Sequence, residues 1–307
     1  MKLFSIIFII IPFIISCATR KCCPDQFIWK KGKSIHSEYQ GNLVLSDGNK
    51  IYMLTNADVD NFKSYDVQSK KWSLLPGIPV NVSYESGVVS NQVIYIMGGI
   101  DSSLNFSRYF QKFDILENKW TSLNQLQSAR RNTSSVVYKD KIYLFGGLES
   151  STGSEKDLHY SQLAQEYKLP EGSWSRKSDL PTARSNASAV VIKDKILVAG
   201  GNTENGETAI VEKYDPTGDE WSRVADLPFA SGSLVLFVMD SSVYAIMPKP
   251  NEKETPMMKY DIDSDQWTQV DAFPGTGSYF QAIVIDDRVY LVSGEENPVI
   301  AWIGKKG

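Results

Sequence analysis

The chain has 307 residues, 42% hydrophobic and 22% charged, a balance that buries a core in one large domain or two ordinary ones. Lys and Arg number 32 against 36 Asp and Glu, so the formal charge is −4. That charge offers no general attraction to nucleic acid or to an anionic membrane, and neither is expected as a partner on that ground.

The first element is a leader. Lys2, the apolar run Leu3 to Ile15 and the small residues Ser16 and Ala18 read as a secretory signal over residues 1–18. The run is too short for a membrane helix, which takes about 20 residues. An extracytoplasmic setting is therefore expected. Ile14-Ile15-Ser16-Cys17 resembles a bacterial lipoprotein processing site, with Cys17 as the lipid-attachment residue and the membrane met only through that anchor. Cleavage after Ala18 is the other reading, because Ser16-x-Ala18 suits a signal peptidase, and both remain open. Residues 19–25 are a short tail. Cys17, Cys22 and Cys23 are the only cysteines, so no disulfide can form within residues 26–307.

From residue 26 onward a short apolar run recurs. It is clearest at Lys139 to Gly147 (Lys-Asp-Lys-Ile-Tyr-Leu-Phe-Gly-Gly), Ile94 to Gly99 and Lys195 to Gly201, with looser copies at Ile51 to Asn56, Val243 to Pro248 and Val289 to Gly294. Val, Ile, Tyr and Phe in these runs predict strands, and the Gly, Asn, Asp and Ser clusters between them predict turns. Tyr65 to Trp72, Phe113 to Trp120, Tyr167 to Trp174, Tyr214 to Trp221 and Tyr260 to Trp267 are each seven residues apart. Constant spacing predicts a fixed hairpin. Asp66, Asp114, Asp215 and Asp261 follow the aromatic and suit Asx-type turns, whereas Lys168 breaks the pattern.

These residues resemble the kelch repeat, which carries a diglycine after its second strand, a tyrosine on the third and a tryptophan on the fourth. The diglycines are Gly98-Gly99, Gly146-Gly147 and Gly200-Gly201. The resemblance implies an all-β, six-bladed kelch-type β-propeller over residues 26–307. Trp302 falls in a third-strand slot, so the C-terminal repeat lacks a fourth strand, while Phe27-Ile28-Trp29 is a fourth strand lacking its blade. Joining them would close the last blade with the N-terminal strand and hide two sheet edges.

Within a blade, the loop after strand two and the lead-in to strand one share a face. Counting back sixteen residues from each diglycine position gives Tyr39, Val82, Arg130, Arg184, Ser231 and Gly277 as lead-in residues. Two positions on lie Gly41, Tyr84, Asn132, Asn186, Ser233 and Tyr279. The expected ligand-binding residues are Arg130, Arg131, Arg184, Tyr84 and Tyr279, since guanidinium forks suit carboxylates and tyrosine offers a flat apolar face with a hydroxyl. Arginines at this lead-in resemble those of kelch proteins that bind acidic peptides. A binding module for an unidentified protein or anionic ligand, an acidic peptide or an acidic sugar, follows, acting as a monomer. The other reading of the arginines is structural, solvating the face or bridging blades through backbone carbonyls.

Leu148 to Gln165 is the longest loop on that face and reads as a lid, a recognition loop or a tolerated insertion. With His36 and His159 the only histidines, a metal site or a Ser-His-Asp triad has little to work with, and no cofactor is expected. Copper-radical galactose oxidase chemistry is excluded because every cysteine lies in the leader region. One enzyme class survives by resemblance, a sialate mutarotase-like carbohydrate isomerase of the periplasmic kelch type. There Arg130 or Arg184 would clamp the sugar carboxylate and Glu85, Glu149 or Glu155 would move protons. Asn81, Asn105, Asn132 and Asn186 each begin an Asn-x-Ser sequon, which matters only in a eukaryotic secretory pathway.

Overall fold

A computed structural model describes residues 26–35, 41–55, 61–152, 157–169, 171–249, 252, 254–275, 280–293 and 299–307. The leader and tail with Cys17, and also His36, Glu155 and Tyr279, lie outside the described residues. Every regular element among those described is a strand.

The strands form antiparallel four-stranded sheets in chain order. The first contains Gly41–Ser46, Lys50–Thr55, Phe62–Asp66 and Lys71–Leu74, and the second Ser86–Ser90, Val93–Met97, Phe110–Asp114 and Lys119–Ser122. The third contains Ser134–Tyr138, Lys141–Phe145, Ala164–Lys168 and Ser173–Arg176, and the fourth Ser188–Ile192, Lys195–Ala199, Val211–Asp215 and Glu220–Arg223. Val235–Met239, Ser242–Ile246, Thr255–Asp261 and Gln266–Phe273 make the fifth. In the sixth, Phe280–Ile285, Arg288–Ser293 and Val299–Lys306 are joined by the N-terminal strand Phe27–Ile35, with Phe27 opposite Lys306.

Burial explains why strand two reads as an unbroken apolar run. Ile142, Tyr143, Leu144 and Phe145 are all buried, because this strand is internal to its sheet and both faces of the sheet are covered. The apolar clusters say what covers them. Each joins consecutive sheets, the first with the second through to the fifth with the sixth. A further cluster packs Ile283, Ile285, Tyr290 and Val292 of the sixth sheet on Val44, Ile51 and Met53 of the first. Stacked four-stranded sheets of this kind are a β-propeller.

The seven-residue spacing is a register. Tyr65 faces Trp72, Phe113 faces Trp120, Tyr167 faces Trp174, Tyr214 faces Trp221 and Tyr260 faces Trp267 across strands three and four. Their rings lie between 4.8 Å for Tyr214–Trp221 and 5.1 Å for Phe113–Trp120. Aromatic cross-strand pairs of this kind each add about 0.5–1.5 kcal/mol beyond burial. Trp120, Trp221 and Trp267 also donate their indole N–H to Pro76 O, Ser178 O and Ala225 O of the preceding sheet. The turns follow the Asx expectation. Asp66 accepts the N–H of Gln68 and Ser69, Asp114 those of Leu116 and Glu117, and Asp261 those of Asp263 and Ser264. At the deviant Lys168, the ammonium pairs with Glu171 and Gly172 takes a positive φ of 67°.

The diglycine does more than end a strand. Gly147 N–H donates to Arg184 O at 2.9 Å, Gly99 N–H to Arg130 O at 2.8 Å and Gly201 N–H to Ser231 O at 2.9 Å, each in the lead-in to the next sheet. At Gly146, with φ of 61°, an added Cβ would also collide with the Arg184 carbonyl. Glycine is required there because left-handed backbone and close approach coincide.

Candidate functional site

The lead-in segments build one rim. Tyr84, Asn132 and Asn186 take left-handed backbone, with φ of 60°, 54° and 53°. Asn132 N–H donates to Tyr84 O at 2.9 Å and Asn186 N–H to Asn132 O at 3.0 Å, so a backbone ladder crosses from the second sheet to the fourth. The Asn132 side-chain amide continues the ladder by donating to Asn186 Oδ1. Asparagine tolerates this backbone, whereas a tyrosine there is strained, and strain of this sort gathers at functional sites. Tyr84 is also 53% exposed, so burial does not account for its ring.

Behind the rim lies a cavity of about 1010 Å³, lined by strand-one residues of each four-stranded sheet described, among them Val44, Ser86, Ser134, Ser188, Val235 and Gln281. Its wall is polar but largely stitched to itself. Ser86 Oγ and Thr133 Oγ1 share a 2.7 Å hydrogen bond, Ser134 Oγ donates to Ala187 O, Leu236 N–H donates to Ser188 Oγ and Val44 N–H to Gln281 Oε1. Among the lining residues only Arg131 and Glu85 carry a charge-bearing side chain other than phenol.

Two of the expected binding residues meet at this rim. The Arg131 guanidinium carbon lies 5.4 Å from the Tyr84 ring centroid and 5.1 Å from that of Phe106. Phe106 comes from the loop after Gly98-Gly99, and no sequence pattern marked it. Cation–π contact with the two rings holds the guanidinium at the rim, contributing ~0.5–1 kcal/mol per partly exposed contact.

Arg130 and Arg184 are placed differently, which corrects the expectation that they line the mouth. Their side chains are 0% and 1% exposed. Arg130 donates to Gly146 O and Leu163 O and to Gln165 Oε1, with Glu149 Oε1 3.7 Å from its Nε. Arg184 donates to Thr182 O, Gly200 O and Ile210 O and forms a 2.6 Å ion pair with Glu212. Both forks are spent on backbone carbonyls at the diglycine turn and just before strand three, where Leu163 O and Ile210 O also accept the N–H of Gly146 and Gly200. Burial pulls Arg130 down to about 10 against the opposing Glu149 carboxylate, so it stays charged at neutral pH. The bridging reading is the one the contacts support. Tyr279 lies outside the described residues, so the rim is drawn without it.

The glutamates separate in the same way. Glu149 accepts from Ser128 Oγ and Ser161 Oγ, and His159 Nε2 lies 3.4 Å from its other oxygen. It is held by the fold. Glu85 is 8% exposed, and among the described residues its Oε2 has no hydrogen-bond partner, unusual for a buried carboxyl. Desolvation, opposed only by the bond to its own backbone amide, pushes its pKa up to about 7. The segment after Gly146-Gly147 is a hairpin, Leu148–Ser150 with Leu158–Tyr160, and it adds to Arg130–Arg131 as a small sheet on the same face. Asp157 ties its base together, accepting from Ser150, Ser151 and Thr152, and those bonds hold its carboxyl well below the usual range.

Several known proteins resemble this chain. Kelch-like protein 40 of Xenopus tropicalis is 35% identical over 80 residues, 26% of this chain and 13% of that protein. Kelch-like protein 41b of Danio rerio is 25% identical over 193 residues, 62% of this chain and 23% of that protein. Beta-scruin of Limulus polyphemus is 38% identical over 56 residues, 18% of this chain and 6% of that protein. The matched stretch is thus less than a quarter of the length of these relatives. The KLHDC2/KLHL20/DRC7 kelch-repeats domain matches residues 86–294. With diglycines, tyrosines and tryptophans in the repeat positions of a propeller, the chain belongs to the kelch-repeat family.

Proposed function

We propose that this chain is an extracytoplasmic kelch propeller that binds an anionic partner, an acidic peptide, at the cavity rim without transforming it. The observation that carries this reading is the Arg131 guanidinium held against Tyr84 and Phe106 at the mouth of a cavity shared by the described four-stranded sheets. A guanidinium suits a carboxylate, and Tyr84 adds an exposed ring with a hydroxyl beside it. The ring is six-bladed in this reading, its last blade completed by Phe27–Ile35, and the packing of the sixth sheet on the first supports it. The extracytoplasmic setting rests on the leader reading of residues 1–18. An isomerase would keep Glu85 but lose its clamp, because Arg130 and Arg184 are committed to the fold.

The test uses acetyl-hexaglutamate amide labelled with a fluorophore, titrated with wild type, R131A and Y84A at pH 6 by anisotropy. Loss of a charged hydrogen bond, about 1.5–3 kcal/mol, predicts at least tenfold weaker binding by folded R131A. Equal affinity of R131A and wild type would remove Arg131 from the site.

A further inference from the structure

The cavity behind the rim has two unlike halves. Strand residues of the second, third and fourth sheets line it mostly with hydroxyl groups and small side chains. Leu43, Val44 and Leu45 of the first sheet, Val235 and Leu236 of the fifth and Phe280 of the sixth line the rest with hydrocarbon. The division is set position by position. Ser86, Ser134 and Ser188 sit opposite Met97, Phe145 and Ala199 in their sheets, and the residue in the same place of the fifth sheet, opposite Ile246, is Val235. The next residue along is Gly87, Ser135 or Ala189 in the polar half and Leu236 in the fifth sheet. Among the strand residues described there, Gln281 is the polar exception in the apolar half, and its Oε1 takes the Val44 N–H.

Folding does not use up this hydrocarbon. Leu45 and Val235 line the cavity and stay partly exposed, although each also packs against a core cluster. Apolar surface left accessible inside a concavity, with a few polar groups at its edge, is the composition of a ligand pocket. The polar half has less to offer a guest. Ser134 and Ser135 donate their hydroxyls to Ala187 O and Gly87 O, Ser86 and Thr133 share one hydrogen bond, and Ser188 Oγ takes the Leu236 N–H. An entering polar group would lose water and compete with the fold for partners, whereas an apolar one gains contact and leaves water behind.

We infer that the partner held at Arg131 also carries a bulky apolar side chain, which enters the cavity and rests on the wall made by the fifth, sixth and first sheets. This rests on the anion-binding reading above and names the peptide more closely, as a segment that combines acidic residues with an aliphatic or aromatic one. Charge complementarity keeps the acid at the mouth, where Arg131 lines the cavity against the Tyr84 ring. At about 1010 Å³ the cavity has room for a leucine or phenylalanine side chain beyond it. Each residue of an extended peptide advances about 3.3 Å, so moving the apolar residue along a short acidic chain samples the separation between the two contacts.

The experiment is isothermal calorimetry at pH 6 with the full chain, wild type and V235S. The ligands are acetyl-hexaglutamate amide and its single-leucine versions, in which one glutamate at a time is replaced by leucine. Val235→Ser installs the residue that the second, third and fourth sheets already carry in this place, and a urea midpoint checks that the variant is folded. In wild type, at least one leucine peptide should bind about tenfold more tightly than hexaglutamate despite having one charge fewer, as burial of a leucine side chain predicts. Its heat-capacity change on binding should be the more negative of the two, the mark of apolar burial. V235S should weaken that peptide by about fourfold for each methyl lost from contact and leave hexaglutamate unchanged. Leucine peptides that bind wild type no better than hexaglutamate would overturn the inference while anion binding at Arg131 stands. A leucine gain that survives undiminished in folded V235S would place the side chain elsewhere and overturn it too. No binding by hexaglutamate or by any leucine peptide would remove the anion-binding reading and this inference with it.

Discussion

Arg184→Ala should damage the fold rather than binding. In the intact protein its guanidinium serves three backbone carbonyls, Thr182 O at 3.2 Å, Gly200 O at 3.1 Å and Ile210 O at 2.8 Å, and pairs with Glu212. Truncation leaves Glu212 4% exposed with only Thr182 Oγ1 to solvate it. Removing one partner of a buried ion pair costs about 3–5 kcal/mol, because the other charge stays buried. Equilibrium urea unfolding at pH 7, followed by tryptophan fluorescence, measures the loss. The double variant Arg184→Met with Glu212→Leu, which removes both charges, should recover most of the loss. A single variant within about 1 kcal/mol of wild type at pH 7 would refute the reasoning, as would a double variant no better than the single.

Two further outcomes test the chain's ends. Deleting residues 26–35 removes the buried Phe27, whose ring meets Phe237 and Tyr244 edge-on, and exposes Val299–Lys306 as a sheet edge. The loss of Phe27 alone should cost about 3–5 kcal/mol, read as a lower urea midpoint, and the bare edge should raise light scattering. A deletion variant that melts like the parent refutes the proposed closure. For the leader, palmitate labelling in a bacterial host should mark the wild type and spare Cys17→Ala. Equal labelling of both, or of neither, argues for simple cleavage.

What could be read along the chain was whatever the chain encodes locally. The seven-residue step from Tyr214 to Trp221 implies a hairpin because a tight turn sets the register of the strands it joins, and Asp215 marks the turn by accepting the N–H of Thr217. The hairpin after Gly147 is legible in the sequence only as a loop. Its strands are three residues each, too short for a period, and their pairing partner is the two-residue strand Arg130–Arg131.

Local pattern is enough to specify the repeat, its strands and the face on which Arg130, Arg131, Arg184 and Tyr84 begin. Which of these arginines is buried depends on how the sheets pack. Arg130 and Arg131 are adjacent, yet side chains of successive strand residues point to opposite sides, one into the sheet stack and one to the rim. The carbonyls that capture Arg130 lie 16 and 33 residues away, and nothing in the local pattern announces them. Glu85 follows the same logic. Among the described residues its Oε2 meets no hydrogen-bond partner, a property that exists only once the sheets have packed.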